Sequence, residues 1–163
     1  MRKTGLLLLL FPLLASCGVV HSVTGEKRYT IASPAMEPTL PLDSKITATV
    51  VKPGSYQPVD GDIVVFKAPA EWDPDKTGTA RIYRVVAIGG ETIACCDAGR
   101  IQRNGKPIDE PYLKVPGVNE PFPGVTLPAG SLFVLGDNRA HSADSTVHGP
   151  VLADTVIGVV KTD

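Results

Sequence analysis

Two short stretches concentrate the hydroxyl, carboxylate and amide side chains of this chain: Ser33-Pro34-Ala35-Met36-Glu37-Pro38-Thr39-Leu40 and Gly136-Asp137-Asn138-Arg139-Ala140-His141-Ser142-Ala143-Asp144-Ser145. Hydroxyls invite nucleophilic chemistry, which requires a base about 3 Å from the attacking oxygen. The polar stretch Arg81-Ile82-Tyr83-Arg84 offers Ser33 no such base, because guanidinium groups stay charged and a phenol is protonated at neutral pH. His141 stands beside Ser142, but adjacent side chains in an extended segment point apart, so a loop histidine is the simpler reading. His148 shows no evident partner and reads as a surface residue. Asp137 and Asn138 read as turn residues that satisfy nearby backbone groups. Cys95 and Cys96 are adjacent and read either as two buried thiols or as a labile redox pair. No spacing of zinc ligands accompanies them, so neither a metal nor a cofactor is implied.

These residues need elements to hold them. The chain has 163 residues, which suits one domain, and 43% of them are hydrophobic, enough for a core. A formal net charge of -1 argues against a nucleic-acid partner. With 16 glycines, 15 prolines and 6% aromatic residues, the composition favours many short strands and turns over long helices. Residues 46–51 alternate and are β-branched, so they read as a strand. Gly61-Asp62 opens a second, buried strand over 63–66, and residues 71–78 form a polar loop carrying Trp72. That tryptophan is either a membrane-interface anchor or the cover of a hairpin. Residues 80–88 make a third strand, Gly89-Gly90 a turn, and 91–96 a further extended run. Asn104-Gly105 predicts a type I′ hairpin. Residues 109–130 hold Pro111, Pro116, Pro121, Pro123 and Pro128 and are expected to be irregular. Strands over 131–135 and 156–161 close the domain, and nothing after residue 28 has a helical period. The expected fold class is all-β, with long Pro/Gly-rich connections.

Four segments together resemble the bacterial type I signal peptidase family. They are the stretch from Ser33 to Leu40, the strand Gly61-Asp62-Ile63-Val64-Val65-Phe66, the strand and turn from Tyr83 to Glu91, and the stretch from Gly136 to Ser145. Cys95-Cys96-Asp97, Asn104-Gly105 and the run from Asp109 to Leu113 give the resemblance an actinobacterial flavour. It covers residues 29–161 and implies a domain of several coiled antiparallel sheets. The family places its nucleophilic serine directly before Met-x-Pro-Thr-Leu and a lysine base directly before Arg-Val. Here those positions hold Ala35 and Tyr83. Alanine has no hydroxyl, and a phenol ionising near about 10 is no base at neutral pH. Loss of both halves of one dyad points to decay or repurposing. The resemblance also implies that Ser33 and the backbone N–H of Ala35 form an oxyanion hole, able to bind a carbonyl without cleaving it. Met36 lies at the floor of the family's cleft or in the core. Ser142, which bonds the lysine in the family, would bond the Tyr83 hydroxyl here. Arg84 and Asp144 are candidates for an ion pair that fixes the loop.

The amino terminus carries a targeting segment. Arg2 and Lys3 precede an apolar run from Leu6 to Leu14, and Leu14-Ala15-Ser16-Cys17 resembles a lipobox. The expected organisation is a signal segment over 1–16, a polar tether over 17–28, and a β domain over 29–163. Lipidated Cys17 would then hold the chain on the extracytoplasmic face of the membrane. An uncleaved N-terminal anchor, or a plain secreted product, are the alternatives; the anchored forms place the domain outside the cytoplasm, since Arg2 and Lys3 stay inside.

Three functions remain open on the sequence. The first is a membrane-held, catalytically inactive relative of signal peptidase I that binds exported or signal peptides, or assists a peptidase or surface assembly. The second is a working serine endopeptidase in signal-peptide processing with a non-standard centre. The third is a purely structural surface lipoprotein domain.

Overall fold

The computed structural model describes residues 23–162 apart from 73–74, 76–77 and 117–118. The signal segment and Cys17 lie outside the described residues. Eleven strands are described: β1 (Val23–Thr30), β2 (Lys45–Val51), β3 (Ile63–Lys67), β4 (Ala80–Ile88), β5 (Thr92–Asp97), β6 (Arg100–Arg103), β7 (Lys106–Pro107), β8 (Phe122–Thr126), β9 (Ser131–Leu135), β10 (Val151–Leu152) and β11 (Val156–Val160). One helical turn, α1 (Ser145–His148), joins β9 to β10. All pairings are antiparallel, in one seven-stranded sheet ordered β1-β2-β11-β3-β4-β9-β10 and one four-stranded sheet ordered β7-β6-β5-β8. The all-β expectation is met.

Two strands bury both faces and so join two cores. In β9, Leu132 and Val134 enter one cluster, and Phe133 and Leu135 the other. In β4 the simple alternation breaks. Tyr83 and Val85 face the first cluster, while Val86 and Ala87 both face the second. The β4–β9 register shifts between Val85 and Ala87, and such a bulge inserts one extra residue and turns the following side chains over. The same two strands carry the polar site. β4 holds Tyr83 and Arg84, and β9 runs directly into Gly136-Asp137-Asn138.

Two expectations are corrected and one open alternative is resolved. The tether over 17–28 is not unstructured along its length. Residues from Val23 onward form β1, which pairs with β2 through Tyr29↔Ile46 and Arg28↔Thr47. The Pro-rich stretch 109–130 contains strand β8, paired with β5. Cys95 and Cys96 are not buried thiols: they are joined as a vicinal disulfide on β5, with Cys96 exposed. The Asn104-Gly105 turn is as expected, with φ of 52° and 74°, the left-handed values a type I′ hairpin demands.

Candidate functional site

Ser33 opens a single 3₁₀ turn over Pro34–Met36. Proline at the first position suits such a turn, since its fixed φ is preorganised and its missing N–H would have no partner there. The turn packs inward, leaving Ala35 and Met36 buried at 4% and 2% exposure. The stretch after β9 clamps it. Asn138 donates its backbone N–H to the Ala35 carbonyl at 2.9 Å and its Nδ2 to the Pro34 carbonyl at 3.0 Å. Gly136 is required by this approach, because a Cβ there would lie 2.6 Å from the Ala35 oxygen and 2.4 Å from Ser142 Oγ. Asn138 and Asp137 are therefore more than turn residues.

The ion pair that fixes the loop is Arg84–Asp137, not the expected Arg84–Asp144. Arg84 reaches Asp137 with two parallel bonds, Nε to Oδ1 at 2.9 Å and Nη2 to Oδ2 at 2.7 Å. Thr39 Oγ1 donates to the same carboxylate at 2.5 Å, tying the first polar stretch to the second. The guanidinium also lies 4.0 Å over the Tyr112 ring. The Arg84 pKa is raised: burial works against the charge, but the Asp137 carboxylate outweighs it. Behind this pair, Arg139 and Glu110 form a second ion pair at 2.5 Å with both side chains under a tenth exposed.

Asp144 has another role. It caps α1, accepting from Thr146 N at 3.1 Å and Thr146 Oγ1 at 2.9 Å, and it accepts the Gly136 N–H at 3.0 Å. Ser142 Oγ donates to it at 2.6 Å. Ser142 still acts on the Tyr83 phenol, as expected, but the phenol's own proton is donated to the Ala143 carbonyl at 3.0 Å. Burial raises the Tyr83 pKa, and the Asp144 charge pushes it the same way, against smaller opposing effects of Ser142 and Arg81. At neutral pH the phenol therefore holds its proton even more firmly than an ordinary tyrosine and is not available as a base.

Tyr83 sits in an aromatic group. Its ring centroid lies 6.2 Å from Phe66 and 6.1 Å from Trp72. Trp72 is buried at 6% exposure and stacks on His148 at 5.1 Å. Trp72 is hence the hairpin cover of the two readings above, and His148 has a partner that the sequence did not disclose.

The oxyanion pair is also altered. Ser33 Oγ accepts the Ala35 N–H at 3.2 Å, so that N–H is satisfied and only the Ser33 hydroxyl proton is left as a donor. A carbonyl entering here must first turn the Ser33 hydroxyl away.

Beside this turn runs a groove of about 240 Å³ between the extended residues Tyr29–Ser33 and the segment Ala80–Tyr83 of β4, with Ala35 and Met36 at its base. The phenol forms a wall of this groove and leaves it open. The ladder from β4 to β9 covers Arg84 to Ile88 alone, so the first half of β4 pairs with β3 on one side only.

Sequence reasoning missed Thr39, Glu110, Tyr112 and Arg139 as parts of the site. Thr39 and Arg139 stand inside the two polar stretches, where their motifs were the available signal. Glu110 and Tyr112 were hidden in the proline-rich segment.

An all-β domain in which two neighbouring strands, β4 and β9, bring these stretches together is matched among known proteins by the signal peptidases. The description "Signal peptidase, peptidase S26" matches residues 3–162, and the chain belongs to that family. It is 32% identical over 166 residues to the signal peptidase I of Mycobacterium tuberculosis, covering 76% of this chain and 56% of that protein. It is 38% identical over 136 residues to the probable signal peptidase I-1 of a Synechocystis strain, covering 82% of this chain and 67% of that one. A crystal structure of a signal peptidase I from Enterococcus faecalis superposes with a TM-score of 0.54 at 28% identity, over 65% of this chain and 98% of that one. The chain spans about half the length of its mycobacterial relatives.

Proposed function

We propose that this chain is a peptide-binding member of the signal peptidase family that does not cut. One observation carries the reading: an open groove runs past Ala35 and Tyr83, two side chains that supply neither nucleophile nor base. An extended peptide laid against the half-paired segment Ala80–Tyr83 adds a strand, with main-chain bonds giving affinity and alternate side chains entering the groove. The apolar lining from Ile31, Met36 and Ile82 favours small apolar side chains, those found before export cleavage sites. Family membership supports a peptide of exported proteins as the ligand and the extracytoplasmic face of the membrane as the place. Attachment is through a lipidated Cys17 or an N-terminal anchor; among the described residues no helix is long and apolar enough to cross a membrane.

The experiment is incubation of the purified protein with a labelled signal-peptide substrate. Binding without turnover is expected. Turnover that disappears in Ser33→Ala would replace this reading with a working peptidase of unusual centre. Neither binding nor turnover would leave a structural surface domain.

A further inference from the structure

A second cavity, of about 310 Å³, adjoins the groove and shares three walls with it, Ser33, Arg81 and Tyr83. Its other lining residues are Trp72, His141, Ala143 and His148. Every side chain here except Ala143 carries a hydrogen-bond donor, although that of Tyr83 is already spent on the Ala143 carbonyl, and among the described residues no acid lines the cavity. Among the described residues, the buried Nε1 of Trp72, a residue of the same wall, has no hydrogen-bond partner. Two acids act on the wall from outside, and both are held: Glu37, which acts on His141, by Lys114 Nζ at 2.5 Å, and Asp144, which acts on Tyr83, by Ser142, Gly136 and Thr146. Arg81 has an interaction of its own and is not needed as the ligand.

We infer that this cavity receives the free C-terminal carboxylate of the peptide held in the groove, so that the protein recognises cut peptide ends. The inference rests on the peptide-binding reading above. A chain lying along Ala80–Tyr83 and past Ala35 reaches Ser33 and Tyr83, where the two cavities meet. A continuing polypeptide presents a neutral amide there. A chain end presents an anion with two acceptor oxygens to a wall of hydroxyl, imidazole and indole donors, and charge-assisted bonds are the stronger kind. The volume holds a carboxylate with several waters, at roughly 30 Å³ per water.

The test measures anisotropy of an N-terminally fluorescein-capped hexapeptide ending in Ala-Leu-Ala, bound to the full chain in detergent. Three forms are compared: free acid, C-terminal amide, and the same peptide extended by three residues. The free acid is expected to bind at least about tenfold more tightly than the amide, with the extended peptide no better than the amide. His141→Gln and His148→Gln each bring the acid-to-amide ratio towards one, and the amide affinity reports whether each variant still folds. If the three peptides bind alike, or both variants keep the full ratio, this inference fails while the peptide-binding reading stands. If none of the three binds, both fail.

Discussion

Two halves of one site have been treated differently. The positions that would move electrons and protons hold an alanine and a tyrosine, and each is satisfied where it lies. Ala35 is buried with its N–H on Ser33 and its carbonyl on Asn138, and the Tyr83 hydroxyl is spent on the Ala143 carbonyl. The supporting half keeps its charges: Arg84 bidentate on Asp137, Thr39 on the same carboxylate, Asp144 capping α1 and holding Ser142. A buried ion pair is weak evidence for stability in itself, but losing one partner leaves a stranded charge. The frame therefore resists change one residue at a time, whereas Ala35 and Tyr83 leave no buried polar group unpaired where they lie.

The hardest way to break that contrast is to refill the empty half. Ala35→Ser combined with Tyr83→Lys is expected to give measurable cleavage of a signal-peptide substrate, about 10²–10⁴ above either single substitution, the usual worth of a positioned base. The amine would sit at 7% exposure among Phe66 and Trp72, and burial there lowers its pKa, although the nearby Asp144 charge opposes this. Its activity should therefore rise with pH as the amine loses its proton. Cleavage by Ala35→Ser alone would mean that another group serves as base. A silent double variant, still folded, would mean that the frame has drifted from its catalytic geometry.

The reverse experiment removes a strut. Asp137→Ala leaves Arg84 buried without its partner, and about 3–5 kcal/mol of stability should be lost, read from the shift in the urea midpoint. A loss below about 1 kcal/mol, the size of a surface pair, would show that the frame is as dispensable as the reactive pair.

Much of this arrangement was visible beforehand, for identifiable reasons. β4 and β9 were legible to the residue because their β-branched and apolar runs fill both faces of a buried strand and end at glycines. β1 was not, because Gly25, Glu26, Lys27 and Arg28 leave no apolar alternation; an edge strand is held by its backbone ladder to β2. β8 hid behind Pro123, which is tolerated because β8 is the outer strand of its sheet, where a missing N–H has no partner to lose. That Ala35 and Tyr83 carry neither a hydroxyl nucleophile nor an amine base is read from the residue types alone. The partner of Arg84 is not. Two carboxylates seven positions apart in one loop look equivalent in sequence, although Asp144 directly before Ser145-Thr146 carries the mark of a helix cap. Cavities shared between distant segments, such as the one joining Ser33, Trp72 and His148, leave no local trace at all.

The smallest effect compares the halves through their phenols. Tyr83 belongs to the emptied half, Tyr112 to the frame beneath Arg84, and Tyr56 donates to Asp62 at 2.9 Å beyond it. Burial is the first cause of a raised pKa in all three. A raised folded value means that the native state holds its proton where the unfolded chain gives it up. The stability this contributes is whole below the ordinary phenol value of about 10 and falls as pH climbs past it. Unfolding midpoints between pH 9 and 11 should therefore decline, and Tyr83→Phe should flatten that decline by one group's share. At neutral pH the same substitution should lose only about 0.5–1.5 kcal/mol, the worth of the bond to Ala143. An unchanged alkaline slope would show that Tyr83 opens to solvent before the frame does, making the emptied half the looser of the two.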